Sequence, residues 1–270
     1  MNHFPKKAIL ASLVLPFTLG AASASAAQIT EWDYTVDNAF TNATYTDGEG
    51  TPVSTEQELI WGSDGVTSSV SITDVSAPPA DRLITNGGLA AGGEFTHNNQ
   101  AIPNDSAMLA SFDLNSTLHL IARAPAEMDG AEPEPVSVSF SSFFTETYNG
   151  GSCFEGSESV CDDVFSLQNP EFGSVNAAGN FEAAAQNFTI DGYNYTVFLE
   201  IVGLNTLTDE QCGVADAPAN CIGFLTQEDN VNTFTSNFRI ESSAVSVPEP
   251  GSLALLGLGL VGLGVASRRK

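Results

Sequence analysis

An all-β fold, an antiparallel β-sandwich or its jelly-roll-like variant, is what this 270-residue chain predicts. Three observations carry that expectation. Apolar and polar residues alternate at period two along most of the chain, and no apolar pattern at helical spacing lasts the roughly 10 residues that a helix needs. Turn-forming clusters recur about every 8–12 residues, as in sandwiches. No repeat of fixed period is present, which disfavours propellers and solenoids.

In chain order, Trp32, Tyr34 and Val36 alternate with polar neighbours. So do Val70 with Ile72, then Met108, Ala110, Phe112 and Leu114, then Val136, Val138 and Phe140. Each set predicts one face of a strand. Asp64-Gly65 marks one hairpin, and Asp191-Gly192, between residues 188–190 and 193–202, marks the clearest one, because Asp-Gly supplies the positive φ angles of a tight type I′ turn. Ala77-Pro78-Pro79, Gly87-Gly88, Gly92-Gly93 and residues 125–135 read as further breaks. Thr208-Asp209-Glu210 can open a single helical turn before a cysteine loop. The last strand, 233–240, leads through a polar spacer to the C-terminal segment.

Both ends differ from this body. Lys6 and Lys7 precede an apolar stretch, residues 8–19, and Ala24-Ser25-Ala26 offers a small-residue cleavage site, so residues 1–26 read as a signal peptide. At the other end, Val247-Pro248-Glu249-Pro250 is followed by an uncharged, glycine-rich run over 251–267 and by Arg268-Arg269-Lys270. Its first 16 residues would rise about 24 Å as a helix, a marginal span. Five glycines weaken that helix by about 1 kcal/mol each relative to alanine, which suits transient insertion better than a packed anchor. The terminal basic cluster predicts a cytoplasmic C-terminus.

This order of motif, apolar helix and basic end resembles the PEP-CTERM sorting signals of Gram-negative bacteria. The resemblance implies recognition by exosortase and the secretion machinery, passage through the inner membrane on the C-terminal helix, and delivery to the cell surface or to an exopolysaccharide-rich matrix. Domains are then expected at 1–26 (signal peptide), 27–246 (secreted sandwich) and 247–270 (sorting signal). Thr96-His97-Asn98-Asn99, with Trp61-Gly62 and Thr145-Glu146-Thr147-Tyr148-Asn149, further resembles the THxN subfamily of these proteins. That subfamily implies no established activity.

The body between the two signals holds 32 of the 33 acidic residues and just three basic ones, Arg82, Arg123 and Arg239; it contains no lysine. Such a surface repels phosphates, so nucleic acid is excluded as a partner. It reads as a well-solvated acidic surface, as adaptation to saline water or as a binder of divalent cations; no cofactor is assigned, and calcium is the one it would admit. All four cysteines lie in the exported part, as two close pairs, so disulfides Cys153–Cys161 and Cys212–Cys221 are expected in an oxidising compartment. No Cys-x-x-Cys spacing supports a zinc site.

No catalytic residue is assigned. The body has two histidines, His97 and His119, and lacks a Gly-x-Ser-x-Gly elbow, a His-Glu-x-x-His motif, a P-loop and an EF-hand loop. Carboxylate pairs abound, but by number alone. His119, within Leu118-His119-Leu120, is expected to point away from its apolar neighbours. Thr96, His97 and Asn99 are the candidate ligand-binding residues, read as a turn after a flexible Gly92-Gly93, where a cation or a sugar hydroxyl could be held; a purely structural part for His97 competes with this. Trp32, Trp61 and several tyrosines are either core or stacking faces for sugars. The functional expectation is an exported, non-enzymatic surface or matrix protein, with a carbohydrate- or calcium-binding module as the alternative and a glycoside-acting hydrolase third.

Overall fold

The computed structural model describes residues 26–246 apart from 78, 151, 159–160, 169–170 and 172. The expected signal peptide, but for its last residue, and segment 247–270, with its expected helix and basic end, lie outside the described residues. Among the described residues, no helix is long and apolar enough to cross a membrane.

The strands, in order, are β1 (Glu31–Tyr45), β2 (Val53–Ser54), β3 (Glu58–Ser63), β4 (Val66–Ile72), β5 (Val75–Ser76), β6 (Leu83–Ile84), β7 (Ala90–Asn99) and β8 (Leu109–Ala124). There follow β9 (Val136–Thr145), β10 (Asp163–Leu167), β11 (Gly173–Val175), β12 (Phe181–Ile190), β13 (Tyr193–Ile201) and β14 (Asn205–Thr206), a short helix α1 (Asp209–Val214), then β15 (Ile222–Thr226) and β16 (Asn230–Ala244). One sheet runs β14-β15-β10-β9-β8-β1-β5, with β6 also on β1; the other runs β11-β12-β13-β16-β7-β4-β3-β2. All these pairings are antiparallel. The two sheets face each other as a sandwich.

The alternation seen in the sequence becomes the core. Trp32, Tyr34 and Val36 on β1 and Val70 and Ile72 on β4 are buried. On β8 the buried phase is Phe112, Leu118 and Leu120, with Leu109 entering the core instead of Met108 beside a shift in the β1–β8 register. Side chains facing across the two sheets interlock through edge-on and stacked aromatic pairs, Trp32 with Tyr195 at 5.5 Å and Phe224 with Phe234 at 3.7 Å among them.

Both Asp-Gly hairpins form. Ser63 pairs with Val66 around Asp64-Gly65, and Ile190 with Tyr193 around Asp191-Gly192. All four turn residues have positive φ, which the short aspartate tolerates and glycine takes freely. Thr208 caps α1: its hydroxyl accepts from the Gln211 amide, and the Gln211 side chain accepts from the Thr208 amide, a complete capping box. The cysteines pair as Cys153–Cys161 and Cys212–Cys221. The second bridge, with Leu207 and Ala215, forms a small cluster on Val164 that covers the outer face of β10.

The segment Thr96–Asn99 corrects the sequence reading. It is not a turn but the end of β7, a central strand paired with both β16 and β4. Nor is Gly92-Gly93 a flexible lead-in. Both lie within β7, and a Cβ on Gly93, whose φ is +135°, would come within 2.6 Å of the Asn38 amide. Asn38 needs that closeness, because its Nδ2 donates to the Gly92 and Thr73 carbonyls.

Candidate functional site

Strands β9, β10 and β15 lie side by side, and their inward-facing residues are Phe144 on β9, Phe165 and Leu167 on β10, and Phe224 on β15. One or two further steps of period two along each strand bring an acid into the same inward phase. These are Glu146 just past β9, Asp163 at the start of β10, and Glu228 just past β15. One carboxylate oxygen from each lies within 4.8 Å of the others. Asp163 is fully buried and Glu228 is buried, while Glu146 is partly exposed.

The opposite sheet closes the site. On β7, Phe95, His97 and Asn99 are buried, whereas Thr96 and Asn98, out of phase with them, lie on the other face. Asn99 thus reaches the acidic cluster, His97 packs beside it against Trp61 and Phe144, and Thr96 faces the other way, because one strand cannot turn consecutive side chains the same way. The His97 ring stacks on Trp61 at 5.5 Å and meets the Phe144 ring edge-on at 5.0 Å. Gly62 follows Trp61 with φ of +121°, and a Cβ there would strike the Val66 carbonyl oxygen at 2.4 Å. Only glycine lets β3 present Trp61 so closely to β4.

Each polar group is held by one atom while another is presented. Trp61 Nε1 donates to Glu146 Oε2 at 2.7 Å, leaving Oε1 without a partner. The Thr147 amide donates to Asp163 Oδ1 at 2.8 Å, leaving Oδ2. Asn99 is the exception, its Nδ2 amide donating to the Thr226 carbonyl at 3.3 Å and also facing the Asp163 and Glu228 carboxylates. Thr226, paired directly with Asp163 across β10 and β15, adds a buried hydroxyl without a partner. Asn232 Oδ1 accepts from the Gln227 amide and Asn232 Nδ2 donates to the Gln227 carbonyl, so the turn that carries Glu228 is pinned.

Burial of so much negative charge shifts protonation. Desolvation, eased in part by the Trp61 hydrogen bond and aggravated by Glu228, pushes Glu146 up to about 8. Asp163 is raised well above the ordinary aspartate value by desolvation and by its two acidic neighbours. Glu228 rises to about 7 through desolvation, against a hydrogen bond from Asn99. His97 goes the other way, to about 3, because burial disfavours its cation. A neutral ring with no partner on either nitrogen is a wall of the site.

Among the described residues, each arginine is paired with acids outside this cluster. Arg82 is paired with Glu31 and Asp33, Arg123 with Asp33 and Asp129, and Arg239 with Glu182 and Glu241. His119, by contrast, is half-exposed with Nε2 at 3.1 Å from Asp37, as its outward strand phase predicts. Trp32 and Trp61 are buried in the core, so neither offers a stacking face to a sugar.

Sequence reading finds His97 and Asn99 but not the three acids, which lie 82 residues apart at the extremes and meet only through strand pairing. The signal that would reveal them is the phase of Phe144-Thr145-Glu146 and of Phe224-Leu225-Thr226-Gln227-Glu228, which brings an acid to an inward position.

No curated protein matches the chain. Residues 246–270, beginning one residue after the last backbone hydrogen bond of the sandwich, from the Val245 amide to the Gly192 carbonyl, match the family described as the PEP-CTERM protein-sorting motif. The chain therefore carries the sorting motif of an exported protein processed by exosortase.

Proposed function

We propose that this chain is a non-catalytic β-sandwich protein of the THxN kind, delivered to the cell surface or extracellular matrix of a Gram-negative bacterium and separated from its tail on arrival. The observation that carries this is the sorting match at 246–270, placed directly after a finished fold. β16 runs to Ala244, and Val245 still donates to Gly192. Cleavage near Pro248-Glu249-Pro250 would thus leave every strand intact. At the other end, the Ala27 amide donates to Asp191 Oδ2 and the Ile29 amide to the Tyr195 hydroxyl, so the sandwich begins within a few residues of the predicted signal cleavage. Exopolysaccharide is the surrounding that such sorting implies, and the acidic, lysine-free body suits a hydrated matrix.

Intact-mass spectrometry of the protein from the envelope and the medium tests this. The expected C-terminus lies near Pro250 in cells with a working exosortase, and the full tail through Lys270 persists in a strain lacking it. A mature protein that keeps Lys270 in normal cells would overturn the reading.

A further inference from the structure

We propose that Glu146, Asp163 and Glu228, together with the buried Thr226 hydroxyl, form a buried site for a single divalent cation, and that the cation is calcium. This goes beyond delivery to the surface and does not depend on it.

Geometry comes first. Three oxygens mutually within 4.8 Å have a common centre no further than about 2.8 Å from each, a few tenths of an ångström beyond calcium–oxygen distances of about 2.3–2.6 Å. A small inward movement of flexible glutamates closes that gap. Magnesium would require contraction to about 2.1 Å and near-ideal octahedral geometry. Zinc favours sulfur and nitrogen ligands, and His97 contributes no atom to the close group. The donors are carboxylates and a hydroxyl, all hard oxygens, the set that calcium takes.

Independent of the acids, Thr226 speaks for a ligand. Its side chain is fully buried, stands directly opposite Asp163 across β10 and β15, and its Oγ1 has no partner. A buried polar oxygen left unpaired is costly, and native structures rarely retain one without a use. Asp163 Oδ2 and Glu146 Oε1 repeat the pattern within the same cluster. A cation satisfies them together and cancels a repulsion that no arginine or lysine of the body relieves. The site is closed to a sugar: glycosidases place their carboxylates on either side of a bound ring, whereas Asp163 and Asn99 are fully buried. An ion can enter where Glu146 remains partly exposed.

The test uses the full chain, exported in a Gram-negative host so that its disulfides form, extracted in detergent and stripped with a chelator. Calorimetric titration with calcium chloride should show one site, and calcium at a hundredfold excess over Kd should raise Tm by about 5–10 °C. Asp163→Asn and Glu146→Gln, which keep side-chain shape, should fold and lose most of that increment, with calcium affinity reduced tenfold or more. Glu127→Gln, at an exposed acid, should behave as wild type. His97→Ala should lower Tm but keep the calcium increment, because the ring is a wall and not a ligand. The proposal falls if calcium up to 10 mM produces no saturable heat and no Tm change, or if Asp163→Asn and Glu146→Gln respond as Glu127→Gln does. Either result would leave the mass-spectrometric test of sorting untouched.

Discussion

At the scale of the residue, the cluster couples stability to pH in a way whose sign follows from the shifts. Glu146, Asp163 and Glu228 have folded-state values above those of the unfolded chain, so without metal they cost nothing below about pH 4.5 and progressively more as pH rises toward 8. His97 acts oppositely. Its folded value near 3 lies below the ordinary 6.5, so its contribution is complete above pH 6.5 and is lost as pH falls toward 3. Three acids outweigh one histidine between pH 4.5 and 6.5, and each group changes stability by up to about 1.4 kcal/mol per pH unit. Urea unfolding in the presence of a chelator should therefore give a stability higher at pH 5 than at pH 8 by a few kcal/mol. Calcium at pH 8 should recover most of the difference, and Asp163→Asn should shrink it.

Elements decide how much of this was legible beforehand. Both Asp-Gly hairpins and the capped turn at Thr208 are local: the residues that specify them are adjacent, and a turn's φ angles or a cap's hydrogen bonds depend on little else. Thr96–Asn99 misleads because Thr and Asn are common in turns, whereas here packing between β16 and β4 overrides that preference. The acidic cluster was hidden for a different reason. Its members sit on strands whose adjacency is set by β9–β10–β15 pairing, and period two alone does not say which strands are neighbours. The unit made by α1 and Cys212–Cys221 now acquires a purpose, since it covers Val164, the residue next to Asp163. Replacing both Cys212 and Cys221 with serine should cost about 2–3 kcal/mol through the freed loop. In a melt the loss should read as about 5–10 °C, while the far-ultraviolet circular dichroism of the sheets is retained.

Across the whole molecule, strand length separates delivery from binding. β16 joins the two ends of the sandwich: Ala244 lies beside Tyr193 near the sorting segment, while Asn230 pairs with Asn99 at the cluster. Fifteen residues of strand place these ends roughly 45 Å apart, so a chain still held by its tail would carry the cation site at the far end of β16. The same molecule bears 32 acids against three arginines in its body, all three of them tied into ion pairs. Arg239 additionally lies over the Phe198 ring at 3.8 Å. With so little positive charge to balance it, the exposed surface repels itself, and sodium chloride should relieve that repulsion. Raising salt from 10 to 150 mM shortens the screening length from about 30 Å to about 8 Å, so the chelated protein should gain several degrees in Tm. That gain should be similar in wild type and Asp163→Asn, because screening acts on the surface and hardly reaches a buried carboxylate. Calcium at matched ionic strength should add a further increment in wild type alone. If sodium chloride reproduces the entire calcium effect, the stabilisation belongs to the surface charge of the body; if the increment survives at 150 mM salt and vanishes with Asp163→Asn, it belongs to the cluster.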